Sequence, residues 1–324
     1  MGTKQYGRKV SILVGQSSGA ATELSDLRCV FKISRGDLQT PNSARVRVYN
    51  VSETTKQRIE KEFTRLVLQG GYEGNFGIIF DGTIKQVRRG RESQTDTYLD
   101  ITAADGDSAY NFAVVNTTLA AGSTASDHVA AACTAMNPYG VTQGYTLELP
   151  TNPLPRGKVM FGMARDFMRW TARTQQAVWS IQDGKTIMVP ETSYMPGEIP
   201  VVTAETGMVG LPEQTQNGIT IKMLLNPSVK IGRLINIDNA SVQRYEYSLN
   251  VGQQAQNERI QQQAKLQDDG FYYVMIAEHS GDTRGNEYYT EVICLAADVT
   301  VLPDSFVNRA AVPPADVVVI KKSG

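Results

Sequence analysis

The chain has 324 residues, 41% hydrophobic and 20% charged, a composition that fits a folded protein of two or three domains. Its formal net charge of -1 argues against a protein that coats nucleic acid or an anionic membrane, because both tasks need a large excess of Lys and Arg. Three distant cysteines, Cys29, Cys133 and Cys294, indicate buried free thiols in a reducing compartment and exclude a fully paired disulfide set.

The start of the chain predicts a strand. Its short apolar run, Val10 to Val14, is followed by polar residues, unlike a signal peptide, and Tyr6 stands where a myristoylation pattern needs Ser or Thr. No stretch has the apolar length needed to cross a bilayer, so we expect no membrane insertion. We therefore expect the protein to be made and folded in the cytosol.

Residues 1–112 predict a β-barrel-like domain with one helix. RKVSILV, LRCVFKISRG and ARVRVYNV carry β-branched residues at period two, as strands do. A helix then begins at Ser52 or Thr54 and is expected to end at Gly70-Gly71. Its predicted apolar face consists of Ile59, Phe63, Leu66 and Val67. Strands resume at FGIIFDGTIKQVRRG and TDTYLDITAADG.

Residues 113–207 predict a mixed α/β domain. STASDHVAAACTAM is typical of a short helix that ends before Asn137-Pro138. A second helix is expected in KVMFGMARDFMRWTARTQQ, with an apolar face that docks on a core. The residues expected on that face are Met160, Met163, Phe167 and Trp170. VWSIQDGKTIMV predicts a hairpin that turns at Asp183-Gly184.

Residues 208–302 predict a second β-barrel-like domain. Strand patterns recur in GITIKMLL, GRLINID, EYSLNV, FYYVMIAEHS and EYYTEVICLA. The Gln-rich segment 252–267 has almost no apolar face, so we expect an extended arm there. Residues 303–324 are expected to form an irregular tail with one short strand. The predicted fold class is therefore α+β, mainly β, with two similar β-barrel-like domains that flank a mixed one.

Two segments of the chain correspond to each other. TIKQVRRGRESQTDTYLDITAADG, from residue 83, and VMIAEHSGDTRGNEYYTEVICLAAD, from residue 274, each contain a strand, a polar tip with Gly and Arg, and a second strand that leads to Ala-Ala-Asp. Two similar β domains in one chain would let three chains form a ring with pseudo-sixfold symmetry. This pattern favours a part of an assembly that matches a sixfold neighbour.

Several segments resemble the baseplate hub proteins of contractile-tailed phages and prophages. GLPEQTQNGITIKMLLNPSVKIGRLINID and AEHSGDTRGNEYYTEVICL are similar to the C-terminal barrel of that family. LRCVFKISRGDLQTPNSARVRVYNVSETTKQRIEK is similar to its opening domain. The resemblance implies a homotrimeric structural hub in the virion baseplate that joins the tail tube to the central spike. Genome DNA would pass through its lumen without specific binding.

The resemblance also implies contacts with the tape measure protein and the baseplate wedge proteins, and no cofactor. Two alternatives stay open beside the phage hub. One is the equivalent hub of a phage-derived contractile injection system, which carries no genome. The other, of a different class, is a tail-associated cell-wall hydrolase, which needs a catalytic residue set.

Candidate catalytic motifs lack the structural context that their chemistry requires. GQSSG at 15–19 matches a nucleophile elbow, but turn and strand patterns follow it, and only His128 and His279 are available as a base. GKT at 184–186 lacks the first Gly of a P-loop. The carboxylates of DGD at 105–107 and DD at 268–269 stand in turn-like contexts. Two His and three scattered Cys give no metal-ligand spacing. We expect neither enzyme activity nor a metal site.

Three arginines, Arg165, Arg169 and Arg173, recur at every fourth residue of the second predicted helix of the middle domain. A solvated helix face is one interpretation of this stripe. The other is a docking face for an acidic partner surface, since a guanidinium pairs with carboxylates in a bidentate way.

Overall fold

The computed structural model describes residues 6–16, 21–37, 40–191, 193–215, 218–237 and 270–296. These residues are mainly β, as the sequence predicted. Within them, no helix combines the length and the apolar character that crossing a membrane requires.

The N-terminal part consists of seven strands and one helix among the described residues. They are β1 (Arg8–Gly15), β2 (Ala21–Glu23), β3 (Cys29–Gly36), β4 (Ser43–Tyr49), α1 (Glu53–Lys61), β5 (Arg65–Tyr72), β6 (Asn75–Arg91) and β7 (Thr97–Ala104). All neighbours are antiparallel, in the order β2-β1-β5-β6-β7-β4-β3. The alternating apolar residues of these strands bury one common core.

The helix α1 is shorter than its sequence pattern predicted. Ser52 caps its start by accepting a hydrogen bond from the Thr55 N–H, but the helix ends at Lys61. Leu66 and Val67 lie in β5, where every residue faces a partner on β1 and another on β6. These two ladders bond the backbone as fully as a helix would, and the strand in addition buries Leu66 and Leu68 in the N-terminal core.

The middle part combines helices with two small sheets. Its elements are α2 (Asp107–Phe112), β8 (Val114–Leu119), α3 (Ala125–Met136), β9 (Thr142–Thr146), β10 (Lys158–Met163), α4 (Ala164–Thr174), β11 (Ala177–Gln182) and β12 (Lys185–Pro190). The strands form a ribbon, β8–β10, and a three-stranded sheet in the order β11-β12-β9. The helix before Asn137 and the hairpin that turns at Asp183-Gly184 are confirmed.

The C-terminal part returns to strands. They are β13 (Val201–Val202), β14 (Glu213–Thr215), β15 (Gly218–Leu224), β16 (Leu234–Ile237), β17 (Phe271–Asp282) and β18 (Tyr288–Ala296). The EYSLNV strand, the Gln-rich arm 252–267 and the tail 303–324 lie outside the described residues. Both segments that correspond in sequence form hairpins, β6–β7 and β17–β18.

The pairing of β3 with β17 joins the N-terminal and C-terminal strands into one sheet of 13 described strands. Gly281 lies opposite Phe31 in this ladder, and a Cβ on Gly281 would stand 2.5 Å from the Phe31 ring. Glycine is therefore required for the strands to approach here. The predicted boundaries at 112, 207 and 302 stay a prediction, as do two separate barrels.

Candidate interaction surface

The helix α4, which carries the three arginines, is anchored by one apolar face. Phe167, Met168 and Ala172 are buried on it, and the helix packs against α3 and β11. The Ala164 N–H donates to the Ala113 carbonyl, which fixes the start of the helix against the end of α2. The remaining side of α4 carries the arginines.

The three arginines differ in how far the chain itself engages them. The Arg165 Nη1 donates to the Tyr110 carbonyl at 3.1 Å, and its guanidinium lies 4.9 Å from the centre of the Tyr110 ring. The Arg169 Nη1 lies 3.2 Å from an Asp166 carboxylate oxygen. Arg173 is exposed and has no ion pair within the described parts of the chain. Only Arg173 is thus fully presented to solvent.

The predicted apolar face of this helix is wrong at two points. Met160 and Met163 belong to the strand β10, because the helix begins only at Ala164. Trp170, expected in the core, is 57% exposed and touches Phe167 edge-on, with ring centres 5.4 Å apart. At 100° per residue, Trp170 lies at the border of the buried face defined by Phe167 and Met168, and the described residues leave more than half of its side chain uncovered.

The ribbon β8–β10 presents a second apolar surface. Val115 and Met160 are buried on its inner face. Val114, Val159 and Phe161 alternate with them and point outward, with exposures of 49%, 73% and 75%. Side chains directly opposite in an antiparallel ladder share a face, so these residues form one outward surface. Such a surface is typical of a contact site.

A buried polar cluster, which we call the junction, ties the middle part to both β-rich parts. Arg35, on β3 and only 4% exposed, donates to the Ile79 carbonyl and to Gln182 Oε1, and its guanidinium lies 3.0 Å from Asp183. Lys230, from the loop before β16, lies 3.4 Å from the same carboxylate. Burial disfavours the charge of Asp183, but Arg35 and Lys230 hold its pKa below the ordinary value.

Asp105 clamps the hairpin tip at the junction. Its carboxylate accepts hydrogen bonds from the Asp183 N–H at 2.6 Å and the Gly184 N–H at 2.9 Å. Burial nevertheless raises the pKa of Asp105 to about 6. The sequence pattern predicted that Asp105 lies in a turn and did not predict the junction. A pattern in β3 could have indicated a buried charge, because Arg35 follows Phe31 and Ile33 at the alternating positions that are buried.

The two histidines lie on different elements of the described chain. His279, on β17, is fully buried, its Nδ1 lies 2.9 Å from the Thr290 hydroxyl, and burial lowers its pKa to about 3. His128, on α3, is half-buried and lies 151 residues earlier in the chain. Ser17 of GQSSG and the acidic pair at 268–269 lie outside the described residues.

The thiols of Cys29, Cys133 and Cys294 are buried, as predicted, and burial raises the pKa of each. In the part of the chain that the structure describes, no group of three or more His, Cys, Asp or Glu side chains is arranged to hold a metal ion. The described features that stand out are the exposed surfaces on α4 and on the β8–β10 ribbon, and the buried junction.

The family model described as baseplate hub gp41 matches residues 9–247, most of the chain. The chain therefore belongs to this baseplate hub family of phage tail structural proteins, which confirms the resemblance drawn from the sequence. A search of curated protein sequences finds no match.

Solved structures of tail proteins share the fold. The 43 kDa tail protein of prophage MuSo2 from Shewanella oneidensis has a TM-score of 0.55 at 6% identity, with 96% of this chain and 100% of that chain covered. A tail protein from Neisseria meningitidis MC58 has a TM-score of 0.56 at 12% identity, with 95% and 100% covered. At such identities the likeness concerns the fold alone.

Proposed function

We propose that the protein is a trimeric baseplate hub that joins the end of a phage tail tube to the central spike and encloses the passage for the genome. The observation that carries this proposal is the pair of like hairpins in one sheet. The β6–β7 hairpin pairs with β4, and the β17–β18 hairpin pairs with β3, on either side of the β3–β4 pair.

The two hairpins share a further detail. Each ladder contains a bulge in its longer strand, between Ile84 and Gln86 in β6 and between Val274 and Ile276 in β17. Three chains would thus supply six comparable hairpins, which matches a threefold spike to a sixfold tube. The same symmetry argument gives DNA a path along the axis that needs no base-specific contacts.

Native mass spectrometry of the purified chain, alone and with its tube and spike proteins, tests the trimer. The expected species has three times the monomer mass of 35.5 kDa, at least when the tail partners are present. A monomer under every condition, with no trimer in the presence of both partners, contradicts the proposal.

The docking side of the hub is proposed to include the helix α4. Arg165, Arg169 and Arg173 recur along it, and Trp170 adds an exposed aromatic side chain. Trp and Arg are the residue types that contribute most to binding at protein interfaces. An acidic partner surface would supply the carboxylates that Arg173 lacks within the described residues.

The proposed mechanism is geometric and involves no catalytic turnover. Assays with peptidoglycan and ester substrates are expected to give rates equal to those without protein. A rate that depends on the protein and is lost in the Ser17→Ala variant would restore the hydrolase alternative. The matched control is Ser93→Ala, on the polar tip of the β6–β7 hairpin.

A further inference from the structure

A cleft of about 580 Å³ opens beside the junction, where all three parts of the chain meet. The first residues of β6 form one wall, and the tip of the β11–β12 hairpin forms another. The loop between β15 and β16 closes the third side. Because the walls come from three parts that the junction holds together, the cleft is a preformed feature of the fold.

The charges that line the cleft are not balanced. Four cations face it, Arg35, Lys185, Lys230 and Arg233, against two carboxylates, Asp81 and Asp183. Both carboxylates are already engaged. The Asp81 carboxylate accepts a hydrogen bond from the Arg65 Nε at 2.8 Å. The Asp183 carboxylate forms ion pairs with Arg35 and Lys230 at the junction.

Two of the four cations are consequently left without a carboxylate in the described chain. Lys185 is exposed at the start of β12. The Arg233 Nε is buried and has no hydrogen-bond acceptor among the described residues. A buried N–H group without a partner is unfavourable. Arg233 thus adds an unpaired cationic side chain to the lining of the cleft.

The first residues of β6 form an apolar wall of the cleft. Phe76 and Ile78 stand two residues apart on β6, so they share one side of the strand, and they are 43% and 39% exposed. Pro227, which also lines the cleft, lies at van der Waals distance from Gly77, since a Cβ on Gly77 would meet the Pro227 ring at 3.4 Å. A ligand of this cleft therefore needs apolar groups as well as negative charge.

We propose that this cleft binds an acidic, partly apolar peptide segment of a partner protein. A carboxylate of the segment pairs with Arg233 and Lys185, and an apolar side chain lies on Phe76 and Ile78. Nucleic acid fits less well, because phosphate-backbone binding relies on many cations and this cleft has only two that are unpaired. This site is separate from the proposed docking face on α4 and does not depend on the trimer.

Fluorescence anisotropy with labelled probes tests the proposal on the full chain alone. The probe is an eight-residue peptide that alternates Asp and Leu, and its comparison probes are a Lys-Leu peptide and a single-stranded octanucleotide. We expect saturable binding of the acidic peptide only, and weaker binding at higher salt. Lys185→Glu is expected to raise the Kd by about tenfold or more, because it replaces an attraction by a repulsion.

The matched control is Lys61→Glu, the same charge reversal at an exposed position at the end of α1, which is expected to leave the Kd unchanged. Phe76→Ser tests the apolar wall and Arg233→Gln the buried donor, each after circular dichroism has verified folding. Lys185 is exposed, so its variant keeps the test valid if Arg233→Gln does not fold. Absence of saturable binding, equal binding of the octanucleotide, or equal Kd values for Lys185→Glu and the wild type would overturn the proposal.

Discussion

Two tryptophans nine residues apart have opposite environments. Trp179, on β11, is fully buried in the core of the middle part and stacks on Tyr110 with ring centres 6.3 Å apart. Trp170, on α4, is 57% exposed. The difference shows which of the two residues supports the fold and which is available to a partner.

We expect Trp179→Ala to lower the free energy of unfolding by about 3–5 kcal/mol, because it leaves a large cavity in a packed core. Trp170→Ala should lower it by no more than about 1 kcal/mol, since only an edge contact with Phe167 is lost. Denaturant unfolding followed by circular dichroism compares the two variants under the same conditions. A larger loss for Trp170→Ala would contradict the assignment.

His279 links stability to pH. Burial is the main reason why its pKa falls to about 3 from an ordinary value of 6.5. The positive charges of Arg35 and Lys230 lower the pKa further, and the negative charge of Asp183 raises it by less. The unfolded chain therefore binds a proton that the folded chain excludes. Stability from this residue is complete above pH 6.5 and is lost as the pH falls from 6.5 towards 3.

Each pH unit in that window changes the free energy of unfolding by about 1.4 kcal/mol for one proton. Between pH 7 and pH 5 we expect the wild type to lose about 2 kcal/mol that His279→Asn does not lose. Asn is chosen because its amide can still bond Thr290 and does not titrate. Unfolding at a series of pH values measures the two slopes. Parallel slopes for wild type and His279→Asn would refute the assignment.

At the scale of elements, the β11–β12 hairpin connects the three parts of the chain. Its tip needs left-handed backbone at both turn residues, with φ of 53° at Asp183 and 72° at Gly184. Asp-Gly is the residue pair that such a turn favours. Asp183 has a second role besides forming the turn, because its carboxylate neutralises the charge of the buried Arg35.

The Asp183→Asn variant separates these two roles, since Asn-Gly forms the same turn without the charge. We expect a loss of about 3 kcal/mol, because the variant leaves Arg35 buried without its carboxylate. Denaturant unfolding gives the value. Glu62→Gln is the matched control: it removes a carboxylate from the exposed pair with Arg58, where the loss should stay below about 0.5 kcal/mol. Equal losses in both variants would argue against a structural junction.

At the scale of the whole molecule, substitutions on the proposed docking face of α4 should weaken assembly without affecting folding. Arg173→Glu and Trp170→Ala change exposed side chains, so both variants should fold with the circular dichroism spectrum of the wild type. We expect each to weaken capture by tail partners, and the charge reversal to do so more at low salt, where exposed charges are screened least.

Pull-down of tube and spike proteins at two salt concentrations measures this effect. Arg45→Glu, an exposed charge reversal on β4, serves as the control for a general change of net charge. If both α4 variants assemble like the wild type at both salt concentrations, the arginine stripe is a solvated face.

The sequence by itself determined the features that depend on neighbouring residues. The Asp183-Gly184 turn, the helix that ends before Asn137, and the period-two strands on either side of the middle part follow from local backbone preferences. The resemblance of N-terminal and C-terminal segments, in their order, also identified the baseplate hub family.

The tertiary structure alone decided which apolar residues are buried in which element and which charged residues come into contact. Leu66 and Val67 fit a helix face or a strand equally well, and the ladders with β1 and β6 made them a strand. Arg35 and Asp183 are 148 residues apart, and they meet because the tip of the β11–β12 hairpin docks on the end of β3, where Gln182 bonds Arg35 and the Gly36 carbonyl. The physical reason is that a periodic pattern specifies which residues share a face, whereas the packing of remote elements specifies whether that face is covered.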